Sequence, residues 1–191
     1  MKILAILGGI GSGKSFTSKL FGFPVFNADE IVKKIYRSDK KCFAKLKTAF
    51  PKYIKSFPVN KLEMLEIILK NKNNLKKINK IVHPIVRKKL RTFVIKNKNK
   101  KIIVLDIPLI LENKIMLNKC IFIYVQAEKK IKEKKLVKRP RYNPRLFKII
   151  KSNQLPLHFK KNISKFKIIN DYKKDNVKKQ VDKIKKKILS K

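Results

Sequence analysis

Unbroken apolar runs punctuate an otherwise lysine-studded chain. Residues 3–7 (Ile-Leu-Ala-Ile-Leu), 102–105 (Ile-Ile-Val-Leu) and 121–125 (Ile-Phe-Ile-Tyr-Val) are the clearest, and residues 166–169 (Phe-Lys-Ile-Ile) are a weaker fourth. Runs this short with so few polar interruptions suit strands buried on both faces of a parallel sheet. Residues 25–29 read as a further short strand ending at Asp29. Between them the period changes. Residues 15–21 suit a helix closed by Gly22 and Pro24. From about 30 to 100 the pattern is helical, with Leu62, Leu65, Ile68 and Leu69, then Leu75, Ile78 and Ile81, at helical spacing and with Pro51, Pro58 and Pro84 as punctuation. Residues 126–161 read as basic helices. A last amphipathic helix from Asp175 carries Val177, Val181, Ile184 and Ile188 on one side. Strands alternating with helices predict an α/β fold with a parallel sheet and right-handed crossovers. At 191 residues the chain is expected to form one domain, residues 1–191, with a helical insertion.

Composition alters this picture mainly through charge. Lys and Arg number 52 against 12 Asp and Glu, a formal net charge of +40. Such a balance raises the prospect of nucleic-acid or anionic-surface binding. Yet only six of these residues are Arg, and Ile and Asn are abundant too. Lys, Ile and Asn share A/T-rich codons, so base bias explains the basicity without a polyanion partner. The lysines are spread along the chain and do not interleave with aromatics as a stacking platform would require, so no specific nucleic acid is expected. Cys42 and Cys120 form no CxxC pair and suit apolar positions in a reducing compartment. No apolar run reaches membrane-span length, and the N-terminal residues lack a signal-peptide pattern. The expectation is a soluble cytoplasmic protein, monomeric or weakly self-associating, with no membrane partner.

The candidate chemistry begins at Gly8-Gly9-Ile10-Gly11-Ser12-Gly13-Lys14-Ser15. This stretch satisfies G-x-x-x-x-G-K-S in full, between a buried strand and a helix. Glycines let successive backbone N–H groups turn toward one concavity, and the helix N-terminus adds positive potential. Lys14 suits the β- and γ-phosphates of ATP, and the Ser15 hydroxyl suits Mg²⁺. Gly9, Ile10, Gly11, Ser12, Gly13 and Phe16 complete the expected nucleotide contact.

Phosphoryl transfer also needs an oriented nucleophile. Asp29 fits either a proton acceptor at an attacking hydroxyl or the cap of a helix starting at Glu30. Asp106, ending an apolar strand, fits a Mg²⁺ partner or a strand-end turn residue, with the balance toward the turn. His83 and His158 read as structural and surface residues, and neither has metal-ligand spacing. Arg139, Arg141 and Arg145 cluster in a chain that otherwise chooses Lys, which points to a demand for forked phosphate donors.

Taken in order, these motifs resemble the dephospho-coenzyme A kinase family over essentially the whole chain. The resemblance rests on LGGIGSGKS at residues 7–15 and on Phe26-Asn27-Ala28-Asp29-Glu30-Ile31, similar to a D-A-D segment. It continues through Val82-His83-Pro84 and through residues 106–113, similar to a P-L-L-x-E segment. Arg139 then precedes Gln154-Leu155-Pro156-Leu157 by fifteen residues, and Asn170 follows. The family fold this implies is a P-loop kinase-type parallel sheet flanked by helices, with a helical substrate-binding insertion (residues 30–100) and a basic helical lid (residues 126–161). The implied activity is ATP- and Mg²⁺-dependent phosphorylation of the ribose 3′-hydroxyl of dephospho-coenzyme A. The alternatives are another small-molecule or nucleoside monophosphate kinase, or, more remotely, a nucleic-acid-binding NTPase. The resemblance makes Asp29 the base candidate, with Lys14 and Arg139 as catalytic partners. Asn170 would lie near the adenine, and His83, Pro108, Leu109 and Glu112 would line the acceptor side. The chain departs from the family pattern at Asn27, where the family has Asp, at Phe16 for Thr and at Ile150 for Arg. Lys165-Phe166-Lys167-Ile168-Ile169 also replaces an Asp-rich stretch.

Overall fold

The computed structural model describes residues 1–138 and 142–190. Its elements run β1 (Lys2–Leu7), α1 (Lys14–Leu20), β2 (Val25–Asn27), α2 (Ala28–Ser38), α3 (Lys40–Ala49), α4 (Lys61–Lys70) and α5 (Asn73–Lys96). They continue with β3 (Ile102–Asp106), β4 (Cys120–Ala127), α6 (Lys129–Val137), α7 (Pro144–Ser152), α8 (Leu157–Asn162), β5 (Phe166–Asn170) and α9 (Lys174–Leu189). The chain divides into two compact units. One comprises Met1–Asn27, Lys96–Tyr142 and Lys151–Lys191; the other comprises Ala28–Ile95 and Asn143–Ile150.

The first unit holds all five strands among the described residues, in the order β2-β3-β1-β4-β5, and every pairing is parallel. β1 is therefore central, and the chain crosses from one side of it to the other between β3 and β4. Ligands of open parallel sheets gather outside the carboxyl ends of the strands at such a switch point. The apolar runs are buried as expected: β3 is buried at all five positions and β1 at five of six. Phe21, just after α1, is fully buried among Leu4, Ile6, Val104 and Ile168 together with Val177, Val181, Ile184 and Ile188 of α9. Burying each such side chain contributes about 1.5–3 kcal/mol.

The second unit is helical. Asp39 caps α3 by accepting from the Cys42 N–H at 2.8 Å, and Asn60 caps α4 by accepting from the Leu62 N–H at 2.9 Å. Ile78, Val82, Val86 and Leu90 form the buried stripe of α5.

Three expectations are corrected. β2 ends at Asn27, and Asp29 lies in the first turn of α2 beside Glu30, neither at a strand end nor capping a helix that starts at Glu30. Acids in a first turn are favoured by its positive potential, which explains the earlier start. Pro84 sits inside α5 and does not punctuate it; burial of Val82 and Val86 on either side outweighs an interior proline cost of about 3 kcal/mol. In α4 the buried residues are Met64 and Ile67, while Leu62 is exposed. Both cysteines are free, Cys42 buried and Cys120 half-buried, and burial pushes each thiol up to about 11. No described helix is long and apolar enough to cross a membrane.

Candidate active site

The loop between β1 and α1 takes its shape from local backbone rules. Gly13, at the N-cap of α1, has φ 91° and ψ 20°, and Gly11 has φ 78°, both in the left-handed region that side chains disfavour. Neighbours crowd them as well. A Cβ on Gly13 would lie 2.1 Å from Asn170 Nδ2, and one on Gly11 would lie 2.8 Å from Leu136 of α6. Lys14 folds back over the loop, its Nζ donating to the carbonyls of Gly8 (3.1 Å) and Gly9 (2.9 Å). The first-turn N–H groups of a helix have no intrahelical acceptor, and α1 begins at Lys14 itself. Ser12 is buried, and its Oγ has no hydrogen-bond partner. An ammonium, a helix N-terminus and an orphan hydroxyl in one loop fit a polyphosphate.

Two neighbouring strand ends meet the loop. Asn27 and Asp106 are register partners at the ends of β2 and β3. Asn27 Nδ2 donates to Asp106 Oδ2 at 2.7 Å and, more weakly, to Ser15 Oγ at 3.4 Å. The Ser15 hydroxyl also bonds the Asp106 carboxylate. Burial pushes Asp106 up from its ordinary 3.8, against the opposing effects of the Ser15 hydrogen bond and then of Lys14 and Lys19. Asp106 is only 2% exposed, so it is not the strand-end turn residue favoured by sequence. Asn27, where the family pattern has Asp, presents an amide to that carboxylate and spares it a like charge. A hydroxyl and a carboxylate are hard oxygen donors, which suits Mg²⁺.

Asn170 ends β5 and is buried; its Nδ2 donates to the Ser12 carbonyl at 2.8 Å. Phe16 is exposed on α1. After β3 the chain turns irregularly, with Pro108 and Leu109 half-buried. Glu112, in that turn, accepts from the Leu155 N–H at 2.8 Å and pairs at 2.6 Å with Lys160 of α8, a lysine 1% exposed. Sequence offered no signal for Lys160, one lysine among many.

In the helical unit Asp29 is exposed in α2, and His83 is half-buried in α5. Burial, and then Arg87, hold His83 below its ordinary 6.5. The same unit contains a cavity of about 600 Å³ lined by Ile31, Ile35, Lys34, Lys40, Lys41 and Lys89, together with Ser38 and Asp39. Residues 126–161 are shared between the two units. Arg139 and Arg141 lie outside the described residues; Arg145 is exposed on α7.

Comparison with known proteins shows the family. The family model described as dephospho-CoA kinase matches residues 2–176. A dephospho-CoA kinase of Bartonella quintana is 34% identical over 175 residues, covering 89% of each chain, and one of a Wolbachia from Brugia malayi is 34% identical over 184 residues, covering 94% of each. The crystal structure of TT1252 from Thermus thermophilus superposes with a TM-score of 0.75 at 21% identity, covering 96% of this chain and 95% of that one. That likeness is one of fold, a parallel sheet flanked by helices.

Proposed function

Because the chain belongs to the dephospho-CoA kinase family, we propose that it transfers the γ-phosphoryl group of ATP to the ribose 3′-hydroxyl of dephospho-coenzyme A, the last step of coenzyme A biosynthesis. The products are coenzyme A, ADP and a proton. The observation that carries this reading is the meeting of Lys14, Ser15, Asn27 and Asp106 at the carboxyl ends of adjacent strands. Each has a task in phosphoryl transfer, which depends on positioned charge more than on covalent chemistry. Lys14 exchanges the carbonyls of Gly8 and Gly9 for the β- and γ-phosphates. The backbone from Gly9 to Phe16 cradles the same groups, and Asn170 holds the loop from behind. Ser15 and Asp106 are the residues that would hold Mg²⁺, which supplies neutralisation of charge on the phosphates.

On the acceptor side Asp29 orients the 3′-hydroxyl and receives its proton. His83, held neutral, is suited to a hydrogen bond with the acceptor. Pro108, Leu109 and Glu112 also bind the acceptor, and the lysine-lined cavity of the helical unit suits the acceptor's diphosphate. Residues 30–100 thus serve as the acceptor-binding part and residues 126–161 as a lid from which Arg139 stabilises charge during transfer. The half-buried and buried free thiols suit work in the cytoplasm, on small molecules and without a specific nucleic acid, as a monomer or weak oligomer.

ADP release coupled to NADH oxidation, with ATP, Mg²⁺ and an acceptor panel of dephospho-coenzyme A, AMP and nucleosides, tests the reaction. Release dependent on dephospho-coenzyme A is expected; its absence in folded protein rejects the reading, and release with AMP instead reassigns the acceptor. Asp29→Asn is expected to lower kcat by at least about a hundredfold with ATP binding little changed, as for loss of a general base.

A further inference from the structure

Tyr172 stands at the start of the connection from β5 to α9 with φ 65°, in the left-handed region. A bulky aromatic residue there is strained. The surrounding contacts hold it in place. Asn170 Oδ1 accepts the Tyr172 N–H at 2.9 Å, while Asn170 Nδ2 grips the Ser12 carbonyl. The Tyr172 hydroxyl donates to the Gly11 carbonyl at 2.9 Å, and the Lys135 ammonium lies 4.8 Å from the centre of its ring. Lys135 is followed in α6 by Leu136, the side chain that crowds Gly11. One strained side chain therefore touches the phosphate loop with its polar end and α6 with its π face. Strain retained at a functional loop points to a use for it.

We propose that Tyr172 is a positioning residue of the nucleotide site. Its hydroxyl fixes the Gly11 peptide plane, so that the loop's N–H groups keep facing the concavity, and its ring ties that plane to α6. The role resides in the phosphate-binding shape of the loop and not in contact with the base. This inference rests on the nucleotide reading of the loop, given above.

Equilibrium binding of ADP, tripolyphosphate and adenosine to the full chain, with melting followed alongside, tests it. Tyr172→Phe removes one hydrogen bond and keeps the ring. It is expected to weaken ADP and tripolyphosphate about fivefold to tenfold, to leave adenosine unmoved and to lower the melting temperature by no more than about 4 °C. Tyr172→Gly relieves the strained φ, and the relief is expected to offset lost packing, so that melting falls by no more than about 4 °C. Its loss of ADP and tripolyphosphate affinity is expected to exceed that of Tyr172→Phe. In turnover, KM for ATP rises while KM for the acceptor holds. If the unaltered chain binds ADP and Tyr172→Phe binds it equally well, the positioning role is wrong. Equal weakening of adenosine overturns it too, since that marks a contact with the base. Failure of the unaltered chain to bind ADP removes the nucleotide reading itself, and this inference with it.

Discussion

Asp106 has its function written in its neighbours. Its carboxylate receives an amide from Asn27 and a hydroxyl from Ser15 within a nearly dry pocket, so burial favours the protonated acid. The pH consequence has a definite sign. A folded-state value above 3.8 means that the folded protein binds a proton more tightly than the unfolded chain. Stability from this group is complete below the unfolded value and is lost as pH rises through the folded one. Asp106→Asn is therefore expected to melt at least as high as the parent at pH 7 without nucleotide or divalent cation, with the difference closing toward pH 4. Its kcat is expected to fall about a hundredfold or more, measured by acceptor-dependent ADP release. The chain alone offered a Mg²⁺ partner as one of two readings of Asp106, but neither its burial nor its partners. An Asp after an apolar run looks the same whether it turns into solvent or faces two partners 79 and 91 positions away. Tyr172 was equally hidden, because its backbone angle and its contact 161 residues back have no local signature. The glycines and Lys14 were plain, since their chemistry is confined to eight consecutive residues.

Among the elements, strands were the easiest to foresee, because burial on both faces leaves them uniformly apolar. Helix edges and faces were harder. Leu62 keeps helical spacing yet faces outward, and a proline runs through α5 unbroken, both decided by packing that sequence does not display. α8 shows the same limit. The single ion pair between Glu112 and Lys160, with the Leu155 N–H on the same carboxylate, anchors this short helix to the turn after β3. Removing one partner of a buried pair leaves an uncompensated charge, whereas replacing both with neutral groups is far milder. Lys160→Met is accordingly expected to cost about 3–5 kcal/mol in urea unfolding, and Lys160→Met with Glu112→Gln to regain more than half of it. If the double variant also binds dephospho-coenzyme A normally, Glu112 serves α8 and not the acceptor.

Across the whole molecule the net charge of +40 dominates. Ion pairs are few among the described residues, only Glu30 with Lys33 and Glu112 with Lys160. Most of the lysines therefore lack a carboxylate and repel one another through solvent. Added salt screens that repulsion, with a screening length falling from about 30 Å at 0.01 M to about 8 Å at 0.15 M. Melting temperature is expected to rise by several degrees between those ionic strengths, equally in chloride and acetate salts; a flat profile would show that the spread of charge carries little energy.

The division of the chain into interleaved segments bears on how the molecule is made. The helical unit takes its last stretch, Asn143–Ile150, from far beyond Ala28–Ile95, and the sheet waits for β5 and for the apolar stripe of α9. A ribosome delivers these pieces after the segments they pack with. Neither core can close while the nascent polypeptide still lacks them, so the growing chain must keep its greasy β1 and β3 segments out of trouble until those pieces have emerged. Arrested chains ending near residue 162 should stay open to protease, while the released product resists it.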